Sequence, residues 1–343
     1  MKAAILVEQK TPLIVDDVEL PDKLQYGQVL VRIICSGICG SQIGEIEGVK
    51  GPDKFLPHLL GHEGGGIVEK IGPGITKVKV GDHVVMHWRK GLGIESETPK
   101  YRWGNTIVNA GWVTTLNELA IVSENRLTPI AKDIDFEIAA LLGCAVTTGF
   151  GVINNDARLK IGESVAVFGI GSVGLNVIQG ASLVSAYPII AIDLYDHKLE
   201  QAKKFGATHI INASKDDVVS EISKIVGSNG VDVAIDNTGN AKVIELAYEV
   251  TAAVGRTILV GVLDKKSKVS IQTLPLHFEK RLVGSHGGSS FPTVDIPNYL
   301  KLINSASVKV KEMITHRFSL KNINTVLEEM KKGNVGKCVI EIS

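Results

Sequence analysis

Three short segments in the first half of the chain carry residue types that bind metals: Cys39-Gly40-Ser41, Gly61-His62-Glu63, and Cys144 within the run LLGCAVTTG. Two thiolates and one imidazole make a three-ligand set for zinc. They leave the fourth tetrahedral position open, as a catalytic zinc requires. An ion held there would acidify an alcohol beside it, and the deprotonated alcohol is the better hydride donor. Taken singly, these residues mean little: a lone Cys is more often an apolar filler, and a lone His a hydrogen-bonded surface or core group. Their wide separation in sequence adds nothing. What changes the reading is the segment that follows them.

That segment is Gly169-Ile170-Gly171-Ser172-Val173-Gly174, a GxGxxG pattern. It closes the apolar run VAVFGI (165–170) and opens a helical pattern from Ser172 towards Gln179, the context a dinucleotide loop requires. Gly169 would make the tight turn, Gly171 would admit a pyrophosphate to the backbone, and Gly174 would let helix and strand pack closely. Ser172 and Val173 would offer free N–H groups at the positive end of the helix. Asp193, 19 residues beyond Gly174, ends the next apolar run, PIIAID. A carboxylate there binds ribose hydroxyls and repels a 2′-phosphate, which favours NAD over NADP. The plainer reading is a tight strand-to-helix turn with Asp193 as a helix cap, but strand, glycines and acid all stand in register.

The elements that must position these groups differ between the two regions. From 165 onward, strand and helix alternate: PIIAID, DHKLEQAKKF stopped by Gly206, HIIN, VVSEISKIV, VDVAID, KVIELAYEV and RTILVGV. Repeated βαβ units with short links predict a doubly wound parallel sheet covered by helices. Earlier runs (QVLVRII, GGIVEKI, DHVVMHW, LAIVSEN) lie between glycine-rich turns and predict an irregular, mainly β domain. The last run, KCVIEI, is placed to pair back into it. The reading gives 1–145 as a catalytic domain, 146–285 as the dinucleotide domain and 286–343 as a return to the first.

The chain has 343 residues, 37 Lys plus Arg, 37 Asp plus Glu and four cysteines. Zero net charge argues against a nucleic-acid or anionic-membrane surface. The N-terminus has too short an apolar run for a signal peptide, and no stretch approaches the ~18 residues of a membrane span. A cytoplasmic protein without disulfides is expected.

The layout resembles the zinc-containing alcohol dehydrogenases of the medium-chain dehydrogenase/reductase superfamily over nearly the whole length. GHEGGGIVEKIGPGITKVKVGDHV (61–84) is close to that family's zinc-histidine signature, and CGS (39–41) and LLGCAVTTGFG (141–151) fit its other zinc segments. The resemblance implies a GroES-like β domain, an inserted Rossmann domain and a small alcohol or carbonyl substrate. It implies that Cys39, His62 and Cys144 hold the zinc, with Glu63 as a transient ligand. Ser41 would take the alcohol proton and Trp88 would wall the substrate pocket. Thr148, Val260 and Val262 would lie against the cofactor, Lys198 would assist Asp193, and Lys337 would face the pyrophosphate as a lysine in place of the usual arginine. A homodimer or homotetramer is implied as well.

Three departures stand out. The stretch His87 to Trp112, where many members hold a structural zinc on four cysteines, has none, so only the catalytic zinc is expected. Gln42 replaces an aspartate that supports the zinc histidine, and Gly44 a histidine that passes the proton outward. A water in the space left by Gly44, or His286 in GSHGGS, could end that relay. The loop 87–103 carries Arg89, Lys90, Lys100 and Arg102 against Glu95 and Glu97. It reads first as a solvated surface loop and second as a receptor for an anionic or polyhydroxylated substrate. Two other functions compete: a zinc-free NADPH reductase, which would lack the Cys/His/Cys set and Asp193, and a non-catalytic NAD-binding sensor or scaffold.

Overall fold

Hydrophobic β-branched runs separated by turn residues decide the layers. The computed structural model describes residues 1–333 and 335–342. The chain forms two units, Met1–Ala145 with Phe291–Ser343, and Val146–Ser290. The second join falls at 290/291 rather than 285/286. The turn Gly287–Ser289 packs into the second unit: Asn155 Nδ2 donates to the Gly288 carbonyl at 2.9 Å, and a Cβ on Gly288 would lie 2.4 Å from the Thr148 carbonyl oxygen.

The second unit is a six-stranded sheet, parallel throughout. Across it run His209–Asn212, Ile189–Asp193, Val165–Phe168, Val231–Asp236, Thr251–Leu259 and Arg281–Gly284. In chain order this is 3-2-1-4-5-6, the doubly wound Rossmann order, whose switch point lies between the first and fourth strands. The central strand Val165–Phe168 is buried along its whole length, as a strand covered on both faces must be. Helices Ser172–Leu183, Asp196–Lys204, Val218–Val226 and Ala241–Glu249 connect the strands. Asp217 and Asn240 cap the last two through their side chains, and Gly206 stops Asp196–Lys204 at φ +113°.

One strand differs from expectation. The pattern RTILVGV predicts a strand that runs through Val262. It belongs to Thr251–Leu259, which is internal, and the edge is Arg281–Gly284. The strand stops because the N–H groups of Val260 and Gly261 both turn onto the Asp236 carbonyl, at 2.8 and 3.0 Å.

The first unit holds two sheets. The larger runs Leu127–Ile130, His83–His87, Glu63–Ile71, Gln28–Gly37, Lys337–Glu341 and Ile314–Ser319, with Leu119–Ser123 also on Gln28–Gly37. Lys337–Glu341 pairs antiparallel with Gln28–Gly37, so the chain's last strand returns to the N-terminal domain. Alternate residues of the central strands face the core; Val29, Val31, Ile33, Val84 and Met86 form one continuous apolar cluster. No single helix among the described residues is long and apolar enough to cross a membrane.

Candidate active site

Each metal-type residue sits at the end of an element. Cys39 is the N-cap of helix Gly40–Ile46, with extended backbone at φ −106° and ψ 148°. Gln42, buried in that helix, accepts the Cys39 N–H on Oε1 at 2.8 Å and so fixes the thiol's backbone. This is a different task from supporting the histidine, and no partner is found for its Nε2 among the described residues. His62 precedes strand Glu63–Ile71 and follows Gly61 at φ +96°, where a Cβ would lie 2.3 Å from Thr115 Oγ1. Only glycine permits that approach. Cys144 follows helix Phe136–Leu142 across Gly143, where a Cβ would lie 2.3 Å from the Met86 carbonyl oxygen.

These elements bring one ligand atom each of Cys39, His62 and Cys144 within 4.8 Å of one another. The hydrogen bond from the Cys144 thiol, together with the neighbouring His62, holds the Cys39 thiol well below its ordinary range, against the opposing effect of burial. Cys144 is pushed up correspondingly by Cys39 and by burial. Burial lowers the His62 pKa, but the hydrogen bond and charge of Cys39 outweigh it and raise it. The set is two sulfurs and one imidazole, with Cys144 buried and Cys39 and His62 partly so, able to lose protons to a bound cation, and it fits zinc. The remaining cysteines are core residues: burial pushes Cys35 up to about 12 and Cys338 up to about 11, so both remain thiols.

The structure gives Lys337 a different partner from the phosphate expected of it. Its ammonium is buried, pairs with Glu63 and donates to the Ile38 carbonyl at 3.1 Å. The carboxylate opposite holds its pKa up despite burial. Glu63 is completely buried; its Oε2 has no partner among the described residues, and it lies outside the three-donor cluster. Ser41 is exposed in the first turn of Gly40–Ile46. Trp88 is half-buried one residue past strand His83–His87, with the Arg89 guanidinium 5.8 Å from its ring centroid.

In the second unit, Gly169 turns at φ +84°, and a Cβ on Gly174 would lie 2.2 Å from the Gly169 carbonyl oxygen. A Cβ on Gly171 would meet nothing within 4 Å, so the space above the loop is open, as a cradle for a pyrophosphate must be. Gly171 caps helix Ser172–Leu183, directing the Ser172 and Val173 amides outward. Asp193 accepts the Ile170 N–H on Oδ2 at 2.7 Å and the Leu194 N–H on Oδ1 at 2.8 Å. Lys198 Nζ stands 4.0 Å from Asp193 Oδ2. Thr148 is buried in helix Ala145–Gly151, whereas Val262 is 60% exposed in the turn after the fifth strand and Val260 is half-buried.

Sequence reasoning missed the other wall of the switch point. Asp236 ends the fourth strand and accepts from Thr238 Oγ1 at 2.6 Å and Gly239 N at 3.0 Å, locking a turn beside Gly169. Burial is the main cause that raises its pKa. An acid at the end of VDVAID was the available signal.

Residues 25–132 match the alcohol dehydrogenase GroES-like domain and residues 172–305 the zinc-binding dehydrogenase domain. The chain is 31% identical to S-(hydroxymethyl)glutathione dehydrogenase of Paracoccus denitrificans over 99% of both chains. It is 32% identical to alcohol dehydrogenase 2 of Oryza sativa subsp. japonica over 99% of this chain and 97% of that one. The crystal structure of benzyl alcohol dehydrogenase from Acinetobacter calcoaceticus superposes with a TM-score of 0.89 at 26% identity, covering 100% of this chain and 99% of that one. A doubly wound dinucleotide unit joined to a GroES-like unit with a thiolate–imidazole cluster defines a metal-dependent dehydrogenase. The chain belongs to the zinc-dependent alcohol dehydrogenase family, which interconverts alcohols and carbonyl compounds by hydride exchange with NAD.

Proposed function

We propose that the chain oxidises a small alcohol lacking carboxylate or phosphate groups, with one zinc held by Cys39, His62 and Cys144 and NAD held along Gly169–Gly174. The clustering of the three donor atoms within 4.8 Å carries this reading. Held there, zinc would supply Lewis acidity to the substrate hydroxyl, and NAD would supply the hydride acceptor. Ser41 takes the hydroxyl proton, since its own hydroxyl both accepts and donates. Beyond Ser41 the proton leaves through water in the space that Gly44 leaves open, in preference to His286. Trp88 shapes the substrate side, and Glu63 stands ready as an extra ligand. Asp193, assisted by Lys198, takes the ribose hydroxyls and selects NAD. Thr148, Val260 and Val262 support the nicotinamide.

Preference for an uncharged substrate is supported by the 87–103 loop, where Lys90, Glu95 and Arg102 are engaged in ion pairs. Lys90 pairs with Glu95 at 2.6 Å, buried Arg126 with Glu95 at 2.7 Å, and Arg102 with Glu19 at 2.8 Å. Four free thiols suit a reducing, cytosolic compartment. Cys144→Ser tests the assignment. It should remove the thiolate-held zinc and lower turnover by at least ~100-fold, while NADH binding, housed in the other unit, stays within about threefold. Full zinc retention by the variant, or no NADH formation from any of a panel of primary and secondary alcohols by the zinc-loaded wild type, would overturn it. The second outcome would favour the non-catalytic NAD-binding reading.

A further inference from the structure

A second group of metal-type side chains lies apart from the thiolate centre, in the same unit. Glu45, Asp53 and His58 each place one ligand atom within 4.8 Å of the others. They come from the last turns of helix Gly40–Ile46, from the loop 47–57, and from the short strand His58–Leu59.

The orientation of His58 gives this group its chemistry. Its Nδ1 lies 2.9 Å from the Leu59 carbonyl oxygen, which can only accept, so Nδ1 carries the proton. The other ring nitrogen, Nε2, faces Asp53 Oδ2 at 2.8 Å and Glu45 Oε1 at 3.9 Å. A nitrogen aimed at two carboxylates calls for positive charge between them, and a divalent cation, unlike a single proton, can engage all three groups at once. A backbone carbonyl holding Nδ1–H while Nε2 is presented outward is the arrangement that orients metal-binding histidines.

The rest of the site is fixed independently. The second oxygen of Asp53, Oδ1, accepts the Phe55 N–H at 2.8 Å, so Oδ2 is the one presented. Gln9 braces the loop: its Nε2 donates to the Gly51 carbonyl at 3.2 Å and its Oε1 accepts from Asp53 N at 3.3 Å. The His58 and Asp53 side chains are 8% and 12% exposed, while Glu45 is 42% exposed, which leaves one open side for entry and for water ligands.

We propose that Glu45, Asp53 and His58 form a second divalent-cation site, built from two carboxylates and one imidazole. A cation roughly 2.1 Å from each donor needs donors about 3 Å apart in octahedral geometry, so only Glu45, the half-exposed member, must close in. Oxygen-rich donors suit Mn2+ as well as Zn2+, whereas the thiolate centre prefers the softer ion. The cation would tie the helix that begins at Cys39 to the strand that leads, four residues after His58, to His62. It would thus brace two segments of the proposed catalytic centre in a chain without a four-cysteine lobe.

The test uses zinc-loaded protein titrated with Mn2+, with free Mn2+ followed by its paramagnetic resonance signal. The wild type should take up one Mn2+ per chain with sub-millimolar affinity, and its thermal midpoint should rise with Mn2+. Asp53→Asn should abolish uptake. Glu45→Gln, at a half-exposed position that does not threaten folding, should weaken it at least ~10-fold. Cys144→Ser should still take up Mn2+, which separates this site from the thiolate centre. No uptake by the wild type at about 1 mM, or unchanged uptake by Glu45→Gln and Asp53→Asn, overturns the proposal and leaves His58 and Asp53 as an ion pair only.

Discussion

Ser41 stands two positions after Cys39, at the exposed start of a helix whose N-cap is the metal-type thiol. An acid–base hydroxyl must lie within reach of the atom whose proton it moves, and loss of such a group usually costs ~100-fold or more. Ser41→Ala should therefore lower kcat at least ~100-fold at neutral pH with zinc content unchanged; near-normal turnover would mean the proton leaves by another path. A Cβ on Gly44 would lie 3.6 Å from Val49 Cγ2, an ordinary contact, so the backbone there accepts a side chain, and Gly44→His should shift the pH dependence of turnover by adding a titrating carrier. Asp193 does two things at once. In the proposed reading it takes the ribose hydroxyls, and it already holds the loop through Ile170 N–H. Asp193→Ala should therefore relax discrimination against NADP and also weaken NAD, read as KM for both cofactors. A wild type that prefers NADP would defeat the assignment.

At the scale of elements, what the sequence made legible followed from local rules. The alternating unit was readable because buried parallel strands are continuous apolar runs, and because Gly206 marks a helix end in sequence. The glycine loop was readable because its steric demands are local: Gly174 packs on the Gly169 carbonyl within one turn. Long-range charge pairing is not local, and the sequence hid it. Nothing near Lys337 announces that it meets Glu63, 274 residues away, nor that Gln42 caps Cys39 instead of reaching the histidine. The 87–103 loop is similar, since its partner Arg126 lies outside it. Burial pushes the Glu95 carboxyl up, but hydrogen bonds from Lys90, Arg126 and Asn125 outweigh it and hold it down to about 2. With the folded value below the usual one, this stabilisation is complete above about pH 4.5 and is lost as pH falls towards about 2. Glu95→Gln should cost about 1–3 kcal/mol at pH 7, because it strands buried Arg126, and should flatten the acid side of the stability profile. Urea unfolding at pH 7 and pH 3.5 checks both; equal losses at the two pH values would refute the assignment.

At the scale of the whole molecule, the second unit leaves one flank of its sheet unfinished. Arg281–Gly284 pairs with Thr251–Leu259 on one side and is the terminal strand of the sheet. The chain around it is apolar and open: Leu274 is 61% exposed, Phe278 66% and Val283 40%. An edge strand with exposed hydrophobic neighbours is a template for pairing, which soluble monomers blunt with charge, proline or a covering element. Arg281 is the one charge on this strand, and Lys280 beside it is buried and donates to the Thr251 carbonyl at 2.7 Å. The economical completion is a second copy meeting the same edge about a two-fold axis, because an isologous contact closes and does not propagate. We therefore expect a homo-oligomer whose basic dimer forms through Arg281–Gly284 and the turn Leu274–Phe278. Light scattering at about 10 µM should give at least twice the chain mass of 36.7 kDa. Phe278→Glu combined with Val283→Glu should shift it to the monomer: both side chains are exposed in the single chain, so the fold tolerates them, whereas a carboxylate pair buried across a two-fold axis does not. A monomeric wild type, or a double variant that assembles unchanged, would place the interface elsewhere.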